Sequence, residues 1–147
     1  MPTSVFVNPQ LGLRAQFHTG DVGLHEFATL ISHYRANRAI FLYDVIHILE
    51  ETTAFTFGIE ALPQLKRDFG ALIQRSDMPL ILRSAWVCPS ASAWNVLEAW
   101  LHERHSLDGL NTEPCLVGTL DEAAGLFDHD ELHAVRYMAG FDPHFSI

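Results

Sequence analysis

The sequence is short of positive charge, because its 147 residues include 9 Lys and Arg against 18 Asp and Glu. The basic residues are also scattered, and Lys66 and Arg67 form the only adjacent pair. Nucleic acids and anionic membrane surfaces are bound by clusters of Lys and Arg. We therefore expect neither a nucleic acid nor a membrane surface among the partners of this chain.

Long hydrophobic runs are also missing, and there are only two cysteines, Cys88 and Cys115. No apolar stretch reaches the roughly 20 residues that a membrane-spanning helix needs, and the first ten residues do not have the pattern of a secretory signal. We therefore expect no membrane insertion and a cytoplasmic protein in which both cysteines are free thiols. The hydrophobic content of 48% predicts one domain with a substantial core.

The clearest structural pattern lies between Leu80 and Phe127, where a short aliphatic run is followed by helical periodicity twice in succession. This alternation is typical of βα units in a parallel sheet. Leu13 to His18 alternates between apolar and polar residues, which predicts a half-buried strand. The sequence thus predicts an α/β domain over residues 1–127, with a mixed, mainly parallel sheet of four to five strands and helices packed on it. Residues 128–147 are predicted to be a C-terminal helical extension and tail.

Two segments in the middle of the chain have patterns that decide the topology. Ala39 to Tyr43 is predicted to be a central strand that ends at Asp44. A helical pattern runs from Gly58 to Ile73, and Pro63 falls within it. Proline in a helix interior costs about 3 kcal/mol, so Pro63 either kinks this helix or begins it. We expect the kink.

Two segments near the C-terminus have the spacing of a capping box, in which a short polar residue is followed three residues later by Glu. The first is Thr119 to Glu122, which predicts a helix over Ala123 to Phe127. The second is Asp128 to Glu131, which predicts a terminal helix through Met138.

Three pieces of the sequence carry a likeness to a known family. They are Asp44 at the end of a predicted strand, the turn Val87-Cys88-Pro89-Ser90, and the strand and helix start from Leu116 to Ala123. In this order and spacing they resemble the STAS domain of anti-sigma-factor antagonists, above all the divergent bacterial STAS-like proteins of uncharacterised role. The resemblance covers about residues 11–127. It implies a STAS-like fold, a non-catalytic regulatory or protein-interaction module, and either a protein partner or a homodimer.

In that family a Ser within Asp-Ser-Ser-Gly is phosphorylated by the anti-sigma kinase. Counting on from Asp44 places Thr53 at the corresponding position, with Thr52 in place of the family's Asp. The resemblance therefore implies that Thr53 is a candidate phosphorylation site. The residues themselves leave another interpretation open, in which Thr52 or Thr53 caps a helix.

The loops that follow parallel strands form the crevice in which open α/β sheets bind ligands. The predicted strand ends place a set of polar and aromatic residues there, which we call the rim. Aromatic residues at such a place suit either a protein-docking edge or the mouth of an apolar pocket, and helix capping and core packing account for the same residues. The rim consists of His47, Glu50, Glu51, Thr52, Thr53, Phe55, Phe57, Ser90, Ser92 and Trp94.

Two other functions are compatible with the sequence. One is the binding of a small apolar or acyl ligand, in a cavity lined by Phe55, Phe57 and Trp94, since STAS-like domains resemble lipid-binding folds in architecture. The other is a metal-dependent enzyme built on His129 and His133, whose i, i+4 spacing on a helix can chelate a metal ion. The segment is His-Asp-Glu-Leu-His, however, and differs from the His-Glu-x-x-His of zinc proteases. Since no nucleophile elbow, catalytic triad order or Gly-rich phosphate loop occurs either, we expect no metal, no cofactor and no enzymatic activity.

Overall fold

The computed structural model of the chain describes residues 2–72, 80–102 and 110–147. None of the helices in these ranges has the length and apolar character of a membrane-spanning segment. Cys88 and Cys115 are free thiols, as expected. The described strands and helices are β1 Thr3–Asn8, β2 Leu13–His18, β3 Asp21–Val22, α1 Leu24–Ala36, α2 Arg38–Phe41, β4 Asp44–Leu49, β5 Ala54–Phe55, α3 Leu62–Gly70, β6 Leu80–Val87, α4 Ala91–Leu101, β7 Leu110–Val117, α5 His129–Tyr137 and β8 Asp142–Ser146.

The described strands form a mixed sheet of six strands in the order β7-β6-β4-β2-β1-β8. Strands β2, β4, β6 and β7 are parallel, whereas β1 is antiparallel to both β2 and β8. A separate parallel pair joins the short strands β3 and β5. The predicted α/β class and mainly parallel sheet are thus confirmed. The sheet has more strands than the expected four to five, because the C-terminal tail supplies β8.

Helices cover both faces of this sheet. Buried side chains of α1 and α3 form one core with Leu82 of β6, and α4 packs beside them on Trp86. On the opposite face, α5 and a 3₁₀ helix at Leu120–Gly125 pack on Leu13, Ile46 and Ala85. Every central strand is therefore buried on both sides, as parallel sheets require.

The alternation in β2 has a different meaning from the one predicted. Its polar residues face α1 and α3 instead of solvent, so that Arg14 is 4% exposed and Gln16 is 1% exposed. The strand was expected to be half-buried because period-two alternation normally marks one solvated face. In β2 both faces are buried, and they differ only in that one carries apolar and the other polar side chains.

The predicted central strand at Ala39 to Tyr43 is wrong. Residues 38–41 form the short helix α2, and the strand that follows, β4, begins at Asp44. A short apolar run does not distinguish strand from helix by periodicity, whereas Val45, Ile46 and Ile48 provide the β-branched residues that favour a strand. Asp44 therefore opens a strand instead of closing one.

The kink expected at Pro63 is also wrong, and the alternative is confirmed. Helix α3 begins at Leu62 after a 3₁₀ turn at Ile59–Ala61, which places Pro63 in the first turn of the helix. A first-turn amide has no partner within the helix, so proline removes no hydrogen bond there.

Hydrogen bonds cap two helices of the structure and confirm one of the two predicted capping boxes. Ser90 Oγ accepts from the Ala93 amide at 3.3 Å, and Asp128 and Glu131 cap each other's backbone amides at 2.8 and 3.1 Å. The box at Thr119 is wrong, since the Thr119 hydroxyl instead donates to the Glu122 carboxylate and a 3₁₀ helix follows.

The last twenty residues share the core of the preceding ones. Helix α5 is fastened to the sheet by Arg83, whose guanidinium lies 2.7 Å from the Asp44 carboxylate and 2.6 Å from that of Glu131. Strand β8 pairs with β1, with a bulge between Val5 and Phe6. Residues 128–147 thus continue the fold of the domain.

Candidate functional site

A cavity of about 70 Å³ lies between the sheet and the helices α1, α3 and α4. Strands β2, β4, β6 and β7 and helix α1 supply its polar lining, and the rest of the wall is aromatic and aliphatic. We call it the Arg14 cavity. Its polar lining residues are Arg14, Gln16, Tyr34, His47, Ser84 and Thr112.

Arg14 is the most unusual residue of this lining. Its Nε and Nη1 atoms are buried and have no hydrogen-bond partner within the described residues. The guanidinium carbon lies 4.6 Å from the centre of the Tyr34 ring and 5.5 Å from that of Phe41. Such cation–π contacts contribute about 2 kcal/mol when desolvated, whereas an unpaired buried charge costs roughly 3–5 kcal/mol. The rings therefore offset only part of the cost of burying Arg14.

No carboxylate occurs among the described residues that line this cavity. Arg14 is the only permanently charged side chain among the described residues of the lining, which therefore carry one positive charge. Electrostatics therefore favour an anion at this place.

Tyr34 and Gln16 are held in fixed orientations beside Arg14. The Tyr34 hydroxyl donates to Gln16 Oε1 at 2.8 Å, which directs the Gln16 amide nitrogen toward His18. Burial raises the pKa of Tyr34, and the charge and hydrogen bond of Arg14 oppose this only in part. Tyr34 is thus a neutral phenol at physiological pH and does not neutralise Arg14.

His18 and His47 form a stack beside the cavity with Trp86. The rings of His47 and Trp86 are 3.6 Å apart and nearly parallel, and His18 Nε2 lies 3.3 Å from His47 Nδ1. His18 is fully buried, and this desolvation lowers its pKa to about 3. Since the Gln16 amide nitrogen can only donate, His18 Nε2 accepts, and His18 Nδ1 carries the proton toward Thr3 Oγ1 at 3.2 Å. His18 is therefore a neutral structural histidine.

A second, smaller cavity of about 20 Å³ adjoins the first, and we call it the Phe57 cavity. All the described residues of its lining are apolar. Phe27, Trp86 and Trp100 line both cavities. The Phe27 ring lies 6.1 Å from that of Phe55 and 5.7 Å from that of Phe57. The described lining residues are Phe27, Phe55, Phe57, Leu62, Leu65, Trp86, Val96, Leu97 and Trp100.

The structure separates the predicted rim into three groups. His47 lines the Arg14 cavity, and Phe55 and Phe57 line the Phe57 cavity. Trp94 instead packs against the core around Leu97. The remaining polar members lie on the turn after β4 and at the start of α4, and they are Glu50, Glu51, Thr52, Thr53, Ser90 and Ser92.

Thr53, Ser90 and Ser92 are brought together as the sequence predicted. The Ser90 hydroxyl donates to the Thr53 carbonyl at 2.6 Å, and the Ser92 hydroxyl reaches the same oxygen at 3.3 Å. The Thr53 hydroxyl is buried, donates to the His18 carbonyl at 2.9 Å and accepts from the Glu50 amide at 3.0 Å. Thr53 therefore closes a turn that leads into β5, and the helix-cap interpretation of Thr52 or Thr53 is wrong. Phosphorylation of Thr53 stays a prediction, and it would require this turn to open.

His129 and His133 lie on the first two turns of α5, with ring centres 6.2 Å apart. They border a surface depression with Asp121 and Arg136, which form an ion pair with each other. Within residues 2–72, 80–102 and 110–147, no three His, Cys, Asp or Glu side chains are grouped so that they could hold a metal ion.

Sequence reasoning missed Arg14, Gln16 and Tyr34. For Arg14 and Gln16, the sequence feature that could have indicated a buried site was the polar face of β2. A strand at the centre of an α/β sheet with helices on both sides has no solvated face. Comparisons with protein-family models, with curated proteins and with solved structures find no match to this chain. The chemistry of the site therefore rests on the contacts described above.

Proposed function

We propose that this chain is a non-catalytic, STAS-like binding module that takes up a small monoanionic ligand in the Arg14 cavity. The observation that carries the proposal is that Arg14 is buried and that two of its guanidinium nitrogens, Nε and Nη1, have no hydrogen-bond partner among the described residues. A STAS-like fold is supported by the element order, in which an antiparallel β1–β2 pair is followed by parallel strands that alternate with helices. A cytoplasmic location agrees with this role.

The energetics of Arg14 favour a ligand over an empty cavity. Removing one partner of a buried ion pair costs roughly 3–5 kcal/mol, because the other charge remains desolvated. Arg14 is in this unpaired condition within the described residues, and an anion would restore two hydrogen bonds to Nε and Nη1. The Ser84 and Thr112 hydroxyls line the same cavity and provide further donors.

The size and charge of the cavity point to a carboxylate. An apolar cavity of about 150 Å³ holds benzene, so 70 Å³ corresponds by proportion to about three non-hydrogen atoms. A carboxylate group has this size. A phosphate dianion is larger and would bring two charges to a single guanidinium, whereas a carboxylate matches its charge and its planar geometry.

The proposal is tested by isothermal titration calorimetry of the full chain with sodium acetate and sodium propionate at neutral pH. We expect saturable binding at one site. Arg14→Met should weaken it by at least about thirtyfold, because losing one side of a buried charge pair costs ~2 kcal/mol or more. Arg35→Met, on the exposed side of α1, is the matched control and should leave binding unchanged. The proposal would be overturned if the wild type showed no binding, or if Arg14→Met bound the acids as tightly as the wild type.

A regulatory or protein-interaction role is the second candidate function, and a specific surface favours it. Glu50, Glu51 and Thr52 are exposed on the turn that Thr53 closes. Elsewhere on the surface, Ile59 is 56% exposed and Leu24 is 47% exposed. A partner protein or a second copy of the chain would bury these side chains.

Sedimentation velocity tests the homodimer form of this role. The mass of a self-associating chain rises with concentration, and Ile59→Asp should then return it to the monomer. A monomeric mass for the wild type at the highest soluble concentration would contradict a homodimer and leave only a different protein as partner.

A further inference from the structure

We infer that the ligand is a short-chain monocarboxylic acid whose hydrocarbon tail occupies the Phe57 cavity. This inference rests on the proposed function and adds the class of the ligand. The juxtaposition of a charged cavity and a wholly apolar one carries it.

The two cavities share three aromatic residues, so they meet across the rings of Phe27, Trp86 and Trp100. On one side of these rings lie the hydrogen-bonding groups around Arg14. On the other side the described lining is apolar throughout. A molecule that satisfies both sides has an anionic head and a hydrocarbon tail, which is the composition of an acyl carboxylate.

The volumes limit the length of the tail. The Phe57 cavity of about 20 Å³ has room for about one carbon atom on the same scale. Phe55 and Phe57 are only half-buried, and β5 is two residues long, so this wall can yield to a slightly longer chain. A tail of one carbon, as in acetate, fits the cavity as it stands, and the longer tails of propionate and butyrate require the wall to yield.

The same wall sets the orientation of the ligand. Phe55 and Phe57 close the outer end of the apolar cavity, whereas Arg14 at the other end is 4% exposed. A ligand would thus rest with its tail toward the rim and its head in the interior.

A chain-length series tests the inference. Formate, acetate, propionate, butyrate and hexanoate are titrated into the full chain by calorimetry. We expect affinity to rise by about fourfold for each added methylene up to butyrate, as burial of a methylene predicts, and to fall for hexanoate. With ¹³C-labelled butyrate, the terminal methyl group should show nuclear Overhauser contacts to the rings of Phe55 or Phe57.

Two variants alter the tail cavity in opposite directions. Val96→Phe fills it and should abolish the gain in affinity from acetate to butyrate. Phe57→Ala enlarges it and should move the optimum to hexanoate, which keeps the test decisive if Val96→Phe fails to fold. Glu98→Gln, at an exposed position of α4, is a control. It should change neither the gain in affinity with chain length nor the optimal chain length.

The outcomes distinguish this inference from the proposed function. Binding that depends on Arg14 but is equal for all acids, and that Val96→Phe and Phe57→Ala do not alter, overturns the inference and leaves the proposed function standing. Failure of every acid, including formate, overturns both.

Discussion

At the scale of single residues, Arg14 shows how an unfavourable feature can indicate function. Its guanidinium is desolvated, lies on two aromatic rings and has two nitrogen atoms without partners among the described residues. Such a group weakens the folded state, and natural proteins retain strain of this kind mainly at functional sites. The sequence alone marks Arg14 as a solvated strand residue, since the helices that cover it lie far away along the chain.

The first prediction concerns the stability of the ligand-free protein. Arg14→Met should leave the free energy of unfolding unchanged or raise it by about 1 kcal/mol, because an apolar side chain replaces a desolvated charge. Urea unfolding measures this, and Arg35→Met should stay within about 0.5 kcal/mol of the wild type. A loss of more than about 2 kcal/mol in Arg14→Met would mean that Arg14 has a structural partner, and the ligand argument would lose its basis.

The second prediction concerns pH. The pKa of His18 is about 3 in the folded state against 6.5 in the unfolded chain, because its ring is desolvated. The unfolded state therefore binds the proton more readily, so the stability from neutral His18 is complete above pH 6.5 and is lost as the pH falls toward 3. Between pH 6.5 and pH 5 this loss amounts to about 2 kcal/mol.

Urea unfolding at the two pH values measures the effect. His18→Gln removes the titrating group and should flatten the pH dependence, whereas His25→Gln, on the exposed surface of α1, should preserve it. Equal pH dependence in His18→Gln and the wild type would show that His18 is not the responsible group.

At the scale of secondary-structure elements, Arg83 joins three of them. Its guanidinium bonds to Asp44 at the start of β4 and to Glu131 in the first turn of α5, and it lies 4.5 Å from the ring centre of Phe127. Hydrogen bonds with Glu131, followed by those with Asp44, raise the pKa of Arg83, so its guanidinium is charged at every accessible pH.

The third prediction is that Glu131→Gln lowers the free energy of unfolding by about 2–3 kcal/mol. The estimate lies below the roughly 3–5 kcal/mol for a buried pair, because the Arg83 side chain is 29% exposed. Urea unfolding at neutral pH measures the loss. Glu51→Gln, on an exposed turn, should cost less than about 0.5 kcal/mol. Equal effects for the two variants would show that α5 is held by apolar packing alone.

The elements also show which sequence signals are reliable. Leu13 to His18 was predicted to the residue, because turns mark its bounds and its residues alternate between apolar and polar. The segment from Ala39 to Leu49 was misread, since two adjacent apolar runs competed for one strand. The tail strand β8 was not predicted, because Pro143 and its polar neighbours do not have the pattern of a buried strand. As an edge strand, β8 pairs only with β1.

At the scale of the whole molecule, helices on both sides of the sheet bury the polar side chains of β2. The α/β class follows from the alternation of strand and helix patterns. The Arg14 cavity does not, because it is assembled from strands and helices that approach one another only in the folded chain. The polar residues of β2 become a binding site through this tertiary arrangement.

The fourth prediction is a thermal shift. A ligand that binds only the folded state stabilises it by about 2.7 kcal/mol at a concentration one hundred times its dissociation constant. Butyrate should therefore raise the Tm of the wild type in calorimetry at constant ionic strength, whereas the Tm of Arg14→Met should not respond. Sodium chloride at matched concentration is the control, and an equal rise with either salt would contradict a specific site.

The central claim is that Arg14 is the receptor for a carboxylate, and ¹H–¹⁵N NMR of arginine side chains tests it most directly. Titration with butyrate should shift one buried Nε–H resonance downfield in a saturable manner, and this resonance should be missing from Arg14→Met. An Arg14 Nε–H resonance that stays in place from formate through butyrate would contradict the claim.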